Sequence, residues 1–176
     1  MKKLNEYLIA GFGGQGVLFG GKLLANIGLI SGKEVTWMPS YGPAMRGGVC
    51  NCSVCISDSL IGSPVVTAPE FAVIMNGPSF DKFIPTVKKG GMAIIDNSIV
   101  DDKYNGSDIT CHYIPATAMA AENDLKGMSN VIMLGKMLKE TGFTDMGIIK
   151  KAIEASTDKA ALVDANIKAI ELGMAC

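Results

Sequence analysis

The chain has 176 residues, 48% of them hydrophobic, which is enough for one domain with a substantial core. With 16 basic and 17 acidic residues its net charge is -1, so neither nucleic acid nor an acidic lipid surface is an expected partner. No stretch reaches the roughly 18–20 uninterrupted apolar residues of a membrane span. Met1-Lys2-Lys3 gives way to Asn5 and Glu6 too soon for a signal peptide, so a cytoplasmic location is expected.

The first element is a short buried strand at 6–10, containing Tyr7-Leu8-Ile9-Ala10. It runs into the turn Gly11-Phe12-Gly13-Gly14-Gln15-Gly16 and a helix at about 15–31. A strand, a glycine turn and a helix together can cradle an anion on helix N-terminal amides. A dinucleotide site also needs an acidic residue at the end of the second strand. That strand, 34–38, ends in Pro39-Ser40, and its only carboxylate, Glu34, lies at the opposite end. No GxxxxGK[ST] is present either. The turn is therefore read as a tight crossing that can donate amides to an anion, and not as an NAD site. The helix after it is apolar nearly all round, and Gly20, Gly21 and Gly28 allow close packing, so it is expected to be buried.

Next comes Ser40–Gly48, SYGPAMRGG. Of 16 basic residues, only Arg46 is an arginine. Its planar fork can hold a carboxylate or phosphate bidentately, where a lysine acts as a point charge. The alternative is that Arg46 simply ties the loop to backbone carbonyls. Residues 49–66 read as a hairpin with Ser57-Asp58-Ser59 as its turn. On its first strand Cys50, Cys52 and Val54 share one face and Cys55 takes the other, so the three thiols do not converge on a metal. Five cysteines, an odd number, also argue against a closed disulfide framework.

Apolar runs at 71–76 and 91–96, with a helix at 79–88 between them, extend a parallel, helix-covered sheet. Asp96 ends a strand, where its expected role is to cap the following turn. His112, the only histidine, lies in a strand at 109–114 and is read as an ordinary strand residue. Pro115 opens a helix, and the rest is helical. Val131, Leu134 and Leu138 share a face of a helix that stops at Gly142. Thr144 is expected to cap a helix with Ile148, Ile149, Ala152 and Ile153 inward. Asp158 is expected to cap the last helix, with Leu162, Ala165, Ala169 and Ile170 inward and Gly173 as its end. No acid–base pair, nucleophile triad or metal set stands out. The fold expected is α/β and Rossmann-like: a mainly parallel sheet with helices on both faces, a β-hairpin excursion and a helical C-terminal part.

Taken together, GFGGQG after the first strand and SYGPxxRGG after the second resemble the gamma subunit of the 2-oxoacid:ferredoxin oxidoreductases. The similarity continues through Ile56-Ser57-Asp58, Ile61-Gly62-Ser63-Pro64, Met75-Asn76-Gly77-Pro78-Ser79, Gly90-Gly91, Asp96-Asn97-Ser98, the NVIMLG of Asn130 to Gly135, and Asn166 with Gly173. One position departs: the family's usual glutamate after the proline is Ala44 here.

The resemblance implies that residues 1–176 form a single gamma-type domain in a complex that decarboxylates a 2-oxoacid, with 2-oxoglutarate favoured over branched-chain 2-oxoacids and pyruvate. Thiamine diphosphate, Mg and [4Fe-4S] clusters are then expected on partner alpha, beta and delta subunits, ferredoxin is the electron acceptor, coenzyme A is the co-substrate, and this chain alone binds no cofactor. Gly13, Gly14, Gln15, Gly16, Ser40, Arg46 and Gly47 become candidates for contact with a coenzyme A phosphate or another subunit. A stand-alone anion- or nucleotide-binding module and a purely structural assembly chain remain open.

Overall fold

The structure, a computed structural model, describes residues 4–40, 49–157 and 159–176. Its six strands are β1 (Leu4–Phe12), β2 (Glu34–Ser40), β3 (Val49–Ser57), β4 (Phe71–Ile74), β5 (Met92–Asp96) and β6 (Thr110–Ile114). They form one sheet in the order β2-β3-β1-β4-β5-β6. Strand β3 runs antiparallel to both neighbours, while β1, β4, β5 and β6 run parallel. The helices are α1 (Val17–Ile30), α2 (Gly77–Phe83), α3 (Ala116–Glu122), α4 (Ser129–Thr141), α5 (Met146–Ser156) and α6 (Ala160–Ala175).

Strand alternation divides the core in two. Tyr7, Ile9, Cys52, Val54, Val73 and Ile94 face the layer built from α1, α4, α5 and α6. Their sequence neighbours Ala10, Ile74, Ala93 and Ile95 face the other way, against Phe80 and Ile84. Helices thus cover both faces, as expected. Most of α1 is buried: a Cβ on Gly21 would overlap Cys52 Sγ, and one on Gly28 would lie 2.8 Å from Val35 Cγ2. Helix α4 is buried from Asn130 to Leu138, all round and not only on the face of Val131, Leu134 and Leu138, because α6 covers its outer side.

The expected hairpin at 49–66 is corrected. Residues 49–57 are a single strand inserted between β2 and β1, paired with β1 along its length and with β2 from Asn51 to Ser57. Ser57 Oγ does accept from Ser59 N at 3.1 Å, but residues 58–70 form no strand. Gly62, Pro64 and Pro69 deprive that segment of ladder donors and of strand propensity. The helix expected at 79–88 starts earlier, capped by Asn76, and gives way after Phe83 to a 3-10 turn at Ile84–Thr86 that contains Pro85.

Helix α5 is capped by Asp145, whose Oδ1 accepts from Ile148 N at 3.0 Å, and not by Thr144. Asp158 lies outside the described residues. In α6 the buried face is Asn166, Ala169, Ile170 and Gly173, with Leu162 41% exposed. The chain stays helical past Gly173, where a Cβ would overlap the Ile132 carbonyl oxygen. Gly173 is thus a packing residue and not a helix stop. The inward face is offset because glycine and asparagine, not larger apolar groups, meet α4.

Candidate functional site at the carboxyl edge of the sheet

From β1 the chain travels through α1 to β2 on one side, and from β4 through α2 to β5 on the other. Helices α1 and α2 leave adjacent parallel strands and pack on opposite faces. The carboxyl edge between β1 and β4 is therefore the point at which strand order reverses, where open α/β sheets form their ligand crevice. The glycine turn and Asn76 sit there.

The turn is held from both sides. Gln15 Oε1 accepts from Phe12 N at 2.6 Å and from Asn76 Nδ2 at 3.1 Å, and Gln15 Nε2 donates to the Met75 carbonyl at 3.2 Å. Asn76 Oδ1 in turn accepts from Ser79 N at 2.8 Å and caps α2. On the far side Asn130 Nδ2 donates to the Gly16 carbonyl at 2.9 Å. Gly14 and Gly16 have φ of 94° and 75°, in the left-handed region that favours glycine. A Cβ on Gly16 would also collide with the Asn130 carboxamide.

These contacts sort the predicted site residues. Gly13 and Gly14 are exposed, and their backbone can meet a ligand. Gln15 is already committed as the clamp between β1 and β4, so its side chain shapes the turn. Gly16 ends the turn and begins α1, which has neither a side-chain cap nor an acidic residue in its first turn. Ser40 is exposed at the end of β2 and is brought to the same edge, since Ser40 pairs with Asn51 and Asn51 with Ala10. Arg46 and Gly47 lie outside the described residues. Val49, just after them, pairs with Phe12 at the start of the turn. A hollow of about 280 Å³ lined by Gly13, Gly14, Gly16, Phe19 and Cys50 lies between the turn and the start of β3.

Two holding residues, Asn76 and Asn130, were not among the sequence candidates. The signal for Asn76 was its place before Gly77-Pro78-Ser79, a helix start with Pro in the first turn. Nothing local marks Asn130, whose partner Gly16 is distant in sequence.

Asp96 is fully buried and does the capping expected of it. It accepts from Ser98 N at 3.0 Å and also from Thr117 Oγ1 at 2.6 Å, so it anchors α3 as well. Cys50 and Cys52 share a face with Val54, as read from the sequence, and Cys55 points to the other. Burial pushes the Cys52 thiol up to about 12, against a smaller lowering by its hydrogen bond with Trp37, and burial also raises Cys50 and Cys55. Among the described residues no group of three or more His, Cys, Asp or Glu could hold a metal ion. His112 Nε2 lies 3.9 Å from Glu140 Oε2, and the Lys136 ammonium 2.7 Å from Glu140 holds that carboxyl below its usual range. No helix among the described residues is long and apolar enough to cross a membrane.

The family described as pyruvate ferredoxin/flavodoxin oxidoreductase matches residues 6–176. The chain belongs to that family. Its curated relatives include ketoisovalerate oxidoreductase subunit VorA of Methanothermobacter thermautotrophicus, 36% identical over 94% of this chain and 35% of that protein. The chain therefore spans about a third of the first curated relatives it matches. Another relative, 2-oxoglutarate synthase subunit KorC of Methanocaldococcus jannaschii, is 35% identical over 90% of this chain and 87% of its own length. Among solved structures, the gamma subunit of a keto/oxoacid ferredoxin oxidoreductase from Geobacter sulfurreducens superposes with a TM-score of 0.84 at 25% identity, over 97% of this chain and 96% of that one. The fold is also that of a 2-oxoglutarate:ferredoxin oxidoreductase from Magnetococcus marinus, solved with 2-oxoglutarate, coenzyme A and succinyl-CoA bound, with a TM-score of 0.87 at 20% identity over 99% of this chain and 31% of that one.

Proposed function

We propose that residues 1–176 act as one gamma-type domain, the gamma subunit of a cytoplasmic 2-oxoacid:ferredoxin oxidoreductase, whose complex oxidises a 2-oxoacid to an acyl-CoA and reduces ferredoxin. The observation that carries this reading is the match to a relative of similar length, over 90% of this chain and 87% of that one, with the family pattern running from residue 6 to 176. In this reading thiamine diphosphate, Mg and the [4Fe-4S] clusters reside on alpha, beta and delta partner chains, which supply the decarboxylation and the electron path.

This chain's part is to present a rigid polar edge. The Gly13 and Gly14 amides, the Ser40 hydroxyl and Arg46 with Gly47 form a contact for a coenzyme A phosphate, and Gln15 and Gly16 hold the turn in shape. Docking of a partner chain on the same edge is the competing use. We take 2-oxoglutarate as the substrate to test first, followed by ketoisovalerate and pyruvate, the three acids for which the relatives are named.

The test is mild anaerobic purification of the tagged chain from its own cells, followed by assays of the recovered complex. The expected result is co-purified thiamine-binding and iron–sulfur chains with coenzyme A-dependent reduction of ferredoxin by one of the three acids. A chain that emerges alone and monomeric would favour the stand-alone module. Within an active complex, Arg46→Lys should raise the coenzyme A KM by roughly tenfold, since a charge-assisted Arg contact contributes about 1.5–3 kcal/mol. An unchanged KM would leave subunit docking as the use of the loop.

A further inference from the structure

The amino edge of the sheet, opposite the candidate site, gathers exposed apolar side chains. Leu4 opens β1 and pairs with Ser57, the last residue of β3, which pairs in turn with Glu34, the first of β2. Helix α1 starts at the glycine turn and ends at this edge, in a tight turn closed by Lys33 N on the Gly28 carbonyl at 3.1 Å. Leu29 and Ile30 are its last two residues. The connection 58–70 leaves from Ser57 and leads to Phe71, the first residue of β4. Five large exposed apolar residues therefore belong to this edge or to the connection that spans it: Leu4, Leu29, Ile30, Leu60 and Val65. Leu60 is 87% exposed. Two of the sequence motifs, Ile56-Ser57-Asp58 and Ile61-Gly62-Ser63-Pro64, fall here as well, and the candidate site uses neither.

A single exposed leucine is ordinary, but a group of them at one edge marks a surface that another part of an assembly covers. A hollow of about 160 Å³ opens at the same edge, lined by Asn5, Lys33, Ile56, Ser57, Asp58 and Phe143. It is of a size to take one side chain, as the anchor pockets of protein interfaces do. Lys33 and Asp58 in its wall pair with each other, so the hollow offers no excess charge to an ionic ligand. Apolar side chains around a small hollow of balanced charge suit a protein surface better than an anion.

The longer relatives indicate the occupant. This chain covers 35% of each of the two VorA proteins, so about two-thirds of each of those polypeptides lies outside this domain and is joined to it. A body of that size covers some face of the domain, and the amino edge is the one with apolar side chains to bury. Resting on the gamma-subunit reading above, we propose that the amino edge docks the part of the enzyme that VorA carries in the same polypeptide. The surface that meets it is apolar, with one protruding side chain for the hollow. Docking there leaves the glycine turn, at the opposite edge, open to a ligand.

The test repeats the anaerobic purification with the tagged wild-type chain and with Leu60→Asp. So exposed a side chain can be changed without loss of the fold, and the isolated variant should keep the wild-type melting temperature. The wild-type chain should bring down a chain whose sequence matches the portion of VorA outside this domain, and Leu60→Asp roughly tenfold less of it. Leu162→Asp, beside Gly16 and so away from this edge, should recover the wild-type amount. In the wild-type complex, amide exchange in 58–70 should be slower than in the free chain. Equal recovery with Leu60→Asp, or equal exchange of 58–70 in both states, would overturn the proposal. So would a free chain that dimerises and that Leu60→Asp makes monomeric, since the occupant is then a second copy. A wild-type chain that emerges alone removes the subunit reading and this proposal together. A complex recovered equally from both chains, with its 2-oxoacid activity intact, removes only the docking edge.

Discussion

Gln15 shows how a residue that reads as a ligand contact can serve as a clamp. Its carboxamide satisfies Phe12 N, the Met75 carbonyl and the Asn76 amide together. Removing it leaves those groups without their partner at a partly buried edge, so Gln15→Leu should destabilise the fold by about 2–3 kcal/mol, read as a lower urea midpoint at unchanged slope. Asn76→Ala should cost about as much, since it removes both the α2 cap and the hold on Gln15.

The buried thiols make a second prediction at this scale. At pH 8, Cys176, which is exposed, should react with a thiol reagent while Cys50, Cys52 and Cys55 stay protected until unfolding. Cys52 keeps its proton up to about pH 12 in the folded chain, whereas in the unfolded chain it ionises near the ordinary thiol value of roughly 8.5. Its contribution is therefore complete below pH 8.5 and declines as pH rises from there to 12, by about 1.4 kcal/mol per pH unit. The melting temperature should fall steadily through that window, and Cys52→Ser should show no such decline from this site. At the residue scale the sequence placed the glycine turn correctly and assigned the cysteine faces by simple alternation. It could not show that the Gln15 side chain is occupied, because two of that side chain's partners, Met75 and Asn76, come from a strand end some 60 residues on.

At the scale of elements the decisive contacts are glycines between helices. A Cβ on Gly173 would overlap the Ile132 carbonyl oxygen, and one on Gly135 would overlap that of Ile170, so α4 and α6 approach backbone to backbone. Backbone cannot step aside as a side chain can. Gly173→Ala should therefore destabilise by about 2–3 kcal/mol, at the upper end for overpacking, and Gly28→Ala by less, because its neighbours are the side-chain tips of Val35 and Ile56. Comparing the two denaturation midpoints checks the ordering. This contact also explains why α6 was misread. Ala169 and Ile170 were legible as inward, but a helical pattern that seeks apolar groups passes over Asn166 and Gly173 and selects Leu162 and Ala165 instead. Strand β3 was legible as a strand from its period-2 alternation, but its partners were not, since pairing with β2 and β1 is a tertiary choice that no local signal in 49–66 encodes.

For the whole molecule, topology places the candidate site. The order β2-β3-β1-β4-β5-β6 places the reversal point beside β1, and the turn, Ser40 and the hollow beside Gly13 and Gly14 gather at that edge. The parallel core and the carboxyl-edge location could be read in advance from alternating strands and helices, and the ordered motifs pointed to the family that the comparisons then showed. The most direct test of the central claim is the anaerobic purification of this chain from its own cells, with recovered partners identified by mass and the eluate assayed for coenzyme A-dependent oxidation of 2-oxoglutarate, ketoisovalerate and pyruvate. Thiamine-binding and iron–sulfur partner chains are expected, with ferredoxin reduction by one of these acids. A chain recovered alone, with none of these activities in its eluate, would contradict it.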